Sequence, residues 1–174
     1  MLETILVVSD NHGSLESIRQ LINQKKYFAV LHAGDFTCDP QSVLKLHPKT
    51  YFILGNNDSY DQGSYLPKDG QYYPQDNVYL INLLGQKILL THGHYVLHWE
   101  EVKSRNNLKQ LAEKYGANFL IFGHTHVPYY QTLENLHLLN PGSINYPRSN
   151  SGRTYGEIEI KNNQILNVTV KHLA

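Results

Sequence analysis

Apolar residues along this chain come in short runs, and each run empties into a polar loop. Thr4-Ile5-Leu6-Val7-Val8 is continuous and β-branched and is followed by Ser9-Asp10-Asn11-His12-Gly13, the pattern of a strand buried on both faces. Ser14 stands where a helix cap would, and Leu15, Ile18, Leu21 and Ile22 recur at helical spacing before Lys25-Lys26, which predicts a helix. Phe28 to Ala33 repeats the strand pattern into Gly34-Asp35, Gln41 to Leu46 suits a short helix, and Tyr51-Phe52-Ile53-Leu54 is a third apolar run. Strands alternating with helices imply βαβ units whose parallel strands gather their C-terminal ends at one rim.

The later chain reads differently. Residues 59–77 are rich in Gly, Pro, Asp and Tyr without a clear period and predict a long irregular loop. Val78–Leu83 and Lys87–Leu90 predict an antiparallel hairpin leading to Thr91-His92-Gly93-His94. Glu100–Tyr115 predicts the strongest helix, with Val102, Leu108, Leu111 and Ala112 on or near one face and Gly116 as its C-terminal cap. Phe119–Phe122 is another buried strand, running into Gly123-His124-Thr125-His126. Tyr129–Leu133, His137–Leu139, Thr154–Ile160 and Ile165–Val170 alternate as strands, with turns at Glu134-Asn135 and Asn162-Asn163. The expected class is α/β, with two packed sheets flanked by helices.

Size and charge narrow the possibilities. A chain of 174 residues with 41% hydrophobic and 17% charged positions suits one globular domain over residues 1–174. Fifteen Lys+Arg balance fifteen Asp+Glu, so no global positive field gathers nucleic acid. Cys38 is the single cysteine, which excludes an intramolecular disulfide and a zinc–thiolate cluster, and it reads as a small buried hydrophobe. Met1-Leu2-Glu3-Thr4 has no basic segment followed by a long apolar run, and no stretch approaches a membrane span. No membrane partner and a cytoplasmic location are expected. The 13 tyrosines suit half-buried sheet positions, with Tyr65, Tyr72-Tyr73 and Tyr129-Tyr130 also placed to line a substrate pocket or a homo-oligomer contact. Arg148 and Arg153 could grip a phosphate, but surface roles are the favoured reading.

The chemistry lies in the strand-end loops. Asp10-Asn11-His12, Gly34-Asp35, Gly55-Asn56-Asn57-Asp58, His92-Gly93-His94 and Gly123-His124-Thr125-His126 each follow an apolar run, where open α/β sheets place ligand sites. Their carboxylate, imidazole and amide donors suit Mn, Fe, Zn or Mg. Asp10, His12, Asp35, Asn56, His92, His124 and His126 are more ligands than one four-coordinate ion needs and enough for two. Any one of these loops alone is a good turn, and His32, His47, His98, His137 and His172 are read as ordinary surface or core histidines.

In that order, from residue 5 to about residue 147 and including Asn140-Pro141-Gly142-Ser143, the motifs resemble the calcineurin-like metallophosphoesterases, in particular the small bacterial and archaeal phosphodiesterases. The resemblance implies a four-layer αββα sandwich and two divalent metal ions, manganese first, with Ni, Zn, Fe and Mg accommodated by the same donors. It assigns Asp10, His12 and His126 to one ion and Asn56, His92 and His124 to the other, with Asp35 bridging. It implies hydrolysis of a small-molecule phosphate ester, a diester above all, by in-line attack of hydroxide drawn from a shared water. Many relatives carry a histidine after the asparagine ligand, able to protonate the leaving group. Here that position is Asn57, whose amide cannot act as an acid. Asp58 is expected to orient loops, and His94 is either the nearest substitute for the missing acid or a structural residue beside the metal ligands. Two other readings remain: an interaction scaffold resembling the retromer subunit of the same fold, disfavoured by the complete ligand set, and a nuclease, disfavoured by the neutral charge.

Overall fold

The structure is a computed structural model and describes residues 1–65 and 69–174. The first half forms β1 (Leu2–Val8), α1 (Glu16–Gln24), β2 (Ala29–His32), α2 (Pro40–Leu44) and β3 (Thr50–Phe52). Then follow β4 (Gly70–Tyr73), β5 (Val78–Leu83), β6 (Gln86–Thr91), α3 (Glu101–Lys114) and β7 (Phe119–Ile121). The chain closes with β8 (Tyr129–Leu133), β9 (Leu136–Asn140), β10 (Thr154–Lys161) and β11 (Gln164–His172). One sheet has the order β11-β10-β1-β2-β3 and the other β4-β5-β6-β7-β9-β8. The strands β1, β2 and β3 are parallel, as are β6, β7 and β9. Their C-terminal ends therefore point to a common rim.

Three apolar layers hold the sheets and helices together. Ile5, Val7, Leu31 and Ile158 of the first sheet meet Tyr79, Ile81, Ile88, Leu90, Phe119 and Ile121 of the second. The alternate residues of the first sheet, Leu6, Val8, Val30 and Phe52, face outward onto Ile18 and Leu21 of α1 and Val43 of α2. Leu89, Leu120 and Leu138 face outward from the second onto Leu108, Leu111 and Ala112 of α3. Because strand side chains alternate between faces, runs such as Ile5 to Val8 supply both layers at once. The result is the αββα order that the family resemblance implies.

Some local expectations change. The segment 59–77 is not wholly irregular: Gln62–Tyr65 forms a 3-10 turn and Gly70–Tyr73 pairs antiparallel with β5 as an edge strand, while residues 66–68 lie outside the described residues. A four-residue strand that is mostly half-buried has no alternation to read. Helix α1 starts at Glu16, and Ser14 accepts a 3.3 Å hydrogen bond from the Glu16 N–H without being the N-cap residue. Asp39 caps α2, accepting from the Gln41 N–H. Val102 is 57% exposed, since six positions before Leu108 places it about 120° around α3 from the buried stripe. Cys38 packs partly buried against the α1–α2 layer.

Glu157 on β10 is buried, and its carboxylate accepts from Lys25 Nζ at 2.9 Å, Lys171 Nζ at 2.8 Å and Tyr27 Oη at 2.7 Å. Burial alone would raise its pKa, but Lys171, Tyr27 and Lys25 hold it below the ordinary glutamate value. A depressed carboxylate adds stability above its unfolded pKa, and that contribution disappears as pH falls through the folded value. Glu157→Gln is expected to cost about 2 kcal/mol at pH 7, less than for a sealed pair because both lysines reach solvent, and so to lower Tm by roughly 4–8 °C. The deficit should begin to shrink as the pH falls below about 4.3, the unfolded glutamate value, and vanish below the folded one. Thermal melts across pH check both.

Candidate metal centre

Six strand ends converge at the rim. Loops after β1, β2 and β3 bring Asp10, His12, Asp35 and Asn56 from the first sheet, and loops after β6 and β7 bring His92, His124 and His126 from the second. The end of β9 and the loop after it lock them in place: Asn140 Nδ2 donates to the Gly123 carbonyl at 3.0 Å and Ser143 Oγ to the Asp10 carbonyl at 2.7 Å. The loops also stitch to each other, through Asp10 N to Gly34 O at 3.0 Å, His12 N to Asp35 O at 3.1 Å and Gly123 N to His92 O at 3.1 Å.

Asp10, His12, Asp35, His124 and His126 all have left-handed backbones, with φ of 55°, 45°, 57°, 71° and 61°. Such φ values are uncommon outside glycine, and each stores on the order of 1 kcal/mol or more. The left-handed turns aim successive side chains inward instead of along a strand. Two glycines make room. A Cβ on Gly55 would lie 2.1 Å from Asp35 Oδ1, and one on Gly123 would lie 2.1 Å from Ser9 Oγ and 2.7 Å from Asp10 Oδ2.

Two tight groups of ligand atoms result: Asp10, His12 and His126, and Asp10, Asp35 and His92. His126 Nε2 lies 3.3 Å from Asp10 Oδ1, and His92 Nε2 lies 3.3 Å from Asp35 Oδ2 and 3.8 Å from Asp10 Oδ1. His12 Nε2 is 3.1 Å from His126 Nε2 and 3.8 Å from both Asp10 Oδ1 and Asp35 Oδ2. Asp10 belongs to both groups, while Asp35 Oδ2 faces His92 and His12 across them. The His124 ring stands 5.2 Å from that of His92, centroid to centroid, beside the two groups, and Asn56 is exposed at the rim.

The hydrogen bonds show that these residues fit divalent cations. His92 Nδ1 meets the Ala33 carbonyl at 2.7 Å and His126 Nδ1 the Tyr146 carbonyl at 2.6 Å. A carbonyl only accepts, so both Nδ1 atoms carry a proton, which leaves Nε2, turned toward the carboxylates, as the atom of each ring that can hold a metal. Asp10 Oδ2 takes donors from Ser9 Oγ at 2.5 Å and the His124 N–H at 3.0 Å, but the buried Asp10 Oδ1 and His92 Nε2 have no hydrogen-bond partner. Buried lone pairs facing each other are costly unless positive charge lies between them. Without ions the only remedy is protons. Burial opposes a charged His92, yet Asp35 and Asp10 raise its pKa, and Asp10 drives up that of His12. Burial likewise opposes ionised Asp10 and Asp35. The imidazoles of His12, His126 and His92 still hold Asp10 well below the carboxylate range, while His92 and Asn57 bring Asp35 to about 2.

The three remaining sequence candidates fall outside the ligand groups. Asn57 grips Asp35 twice, its N–H on Oδ1 and its Nδ2 on Oδ2, each at 2.9 Å. Asp58 accepts 2.8 Å bonds from the N–H groups of Asp35, Thr37 and Gly55, which ties the second and third loops together. His94 has its ring 5.5 Å from that of His92, and burial with the neighbouring His92 and His124 lowers its pKa to about 4. His32, read as an ordinary histidine, is a satisfied core residue but braces the site. Fully buried, it meets Asn11 Oδ1 at 2.6 Å through Nε2 and accepts from the Gly34 N–H at 3.0 Å. Its place at the end of an apolar run, just before Gly34-Asp35, is the signal that could have singled it out.

The chain belongs to the calcineurin-like phosphoesterase superfamily, whose domain model matches residues 4–163. It is 28% identical to a probable metallophosphoesterase of Mycoplasma genitalium over 97% of this chain and 94% of that one. It is 26% identical to a phosphodiesterase of Methanocaldococcus jannaschii over 78% of this chain and 81% of that one. A predicted phosphoesterase from Streptococcus pneumoniae superposes with a TM-score of 0.72 at 28% identity, over 92% of this chain and 84% of that one. The fold is also that of vacuolar protein sorting 29 from Entamoeba histolytica, solved with zinc, at a TM-score of 0.71 and 21% identity over 98% and 97% of the two chains.

Proposed function

We propose that this protein is a metal-dependent phosphodiesterase that hydrolyses small phosphate diesters with two divalent ions, manganese favoured. The observation that carries the reading is the pair of buried, unpartnered atoms Asp10 Oδ1 and His92 Nε2, set among the Nε2 atoms of His12 and His126. In this reading Asp10, His12 and His126 hold one ion, Asn56, His92 and His124 the other, and Asp35 is shared. Bound ions of this kind neutralise phosphate oxygens and make a coordinated water more acidic. The protein's own part is orientation: Ala33 and Tyr146 fix the tautomers of His92 and His126, Asn57 fixes Asp35, and Asp58 fixes the loops that carry Asp35 and Asn56.

Metal binding alone does not separate this reading from a scaffold, since the vacuolar protein sorting 29 of E. histolytica was itself solved with zinc. Turnover does. Purified protein loaded with Mn, Ni, Zn or Mg and assayed on chromogenic mono- and diesters is expected to prefer the diester, with two ions bound per chain at saturation. No turnover with any metal, or a single ion, overturns the proposal.

A further inference from the structure

A cavity of about 450 Å³ opens beside the centre, bounded at its inner end by Asn56 and His94 and further out by Tyr72, Pro74, Gln75 and Tyr95. Its size is in the ~300–1,000 Å³ range of small-molecule sites. We propose that it receives one organic group of the phosphate ester, and that this group is an uncharged ring. The inference rests on the phosphodiesterase reading and names the substrate class for it.

Three features carry the inference. First, no lysine or arginine lines the cavity among the described residues, and its one carboxylate, Asp58, is already committed to three backbone N–H groups. A second phosphate or a carboxylate would find no counter-charge there, so the group is neutral. Second, Tyr95 is 75% exposed and its ring lies 4.0 Å from that of His94, centroid to centroid, so an aromatic side chain lines the cavity and remains open to a ligand. Tyr72 is held in place by its hydroxyl, which donates to Asn77 Oδ1 at 3.1 Å, and Asn77 Nδ2 is anchored on the Leu54 carbonyl at 2.9 Å. Third, the Gln75 side-chain amide, exposed at the cavity edge, suits the rim of a ring bearing nitrogen or oxygen. Because Asn56 and Gly55 belong both to this wall and to the metal loop, the ring and the phosphorus can be held together.

Binding of phenylphosphonate and of methylphosphonate to the manganese-loaded protein, followed by calorimetry, tests this. The two share the phosphonate and differ in the ring. The phenyl compound is expected to bind about tenfold tighter, the scale of one ring stacking on another. Tyr95→Ala should abolish that advantage, and Tyr95→Phe should keep it. Equal affinities, or an advantage that persists in Tyr95→Ala, overturn the subsite and leave the phosphodiesterase reading intact. If neither phosphonate binds while the manganese-loaded protein still turns over chromogenic diesters, the subsite alone falls; if turnover is absent as well, both fall.

Discussion

Asp35→Ala is expected to remove nearly all turnover, a loss of more than about 100-fold in kcat/KM, beyond what losing an outer partner of a metal ligand costs. Asp35 Oδ2 faces the Nε2 atoms of both His92 and His12, so deleting it takes negative charge from both halves of the centre. Asn57→Ala should be much milder, on the order of tenfold. It loses the amide bond to Oδ2, but the residue's own N–H still holds Oδ1. Metal content and kcat/KM measured together separate the two: Asp35→Ala should lose bound ion, and Asn57→Ala should keep both ions with weakened affinity. Equal losses in the two variants would show that Asp35 is not the shared ligand or that Asn57 does more than hold it in place.

Diesters with good leaving groups should be cleaved far faster than those with poor ones. None of the three residues nearest the missing acid can donate a proton at neutral pH. Asn57 has only an amide, the Asp58 carboxylate accepts three N–H bonds, and His94, at a pKa of about 4, has already lost its proton. The departing oxygen must therefore leave as an anion or take its proton from water, and kcat/KM across diesters graded by leaving-group pKa should fall steeply. Asn57→His should speed alkyl esters selectively by about tenfold, the modest end for a positioned acid, while aryl esters lose a little through the missing grip on Asp35. A shallow slope in the natural protein would reveal an acid, with His94 the next residue to replace. A steep slope unchanged in Asn57→His would show that position 57 does not face the leaving group.

The order of strands and helices was legible because each buried run, from Ile5–Val8 to Phe119–Phe122, feeds two layers at once and so cannot be polar at any position. The same logic made the strand-end loops stand out. It failed at β4, an edge strand too short and too wet to show a period, and at Val102, where an apolar residue sits on the solvent face of its helix. The left-handed backbones of Asp10, His12, Asp35, His124 and His126 were hinted at only by residue type, since Asp and His tolerate that region better than most. The double bond from Asn57 to Asp35 was beyond reach from the sequence, because it depends on how two loops after different strands meet in space.

The division of the proposed ligands between the sheets has a mechanical consequence. Asp10, His12, Asp35 and Asn56 ride on one sheet and His92, His124 and His126 on the other, so each ion would be clenched by both and would act as a rivet through the seam. Prising the sheets apart at the rim would then require the rivets to shear first. Filling the centre would harden the whole sandwich against heat in proportion to the logarithm of ion concentration, although no ligand lies in the apolar layer between the sheets that bears the rest of the load.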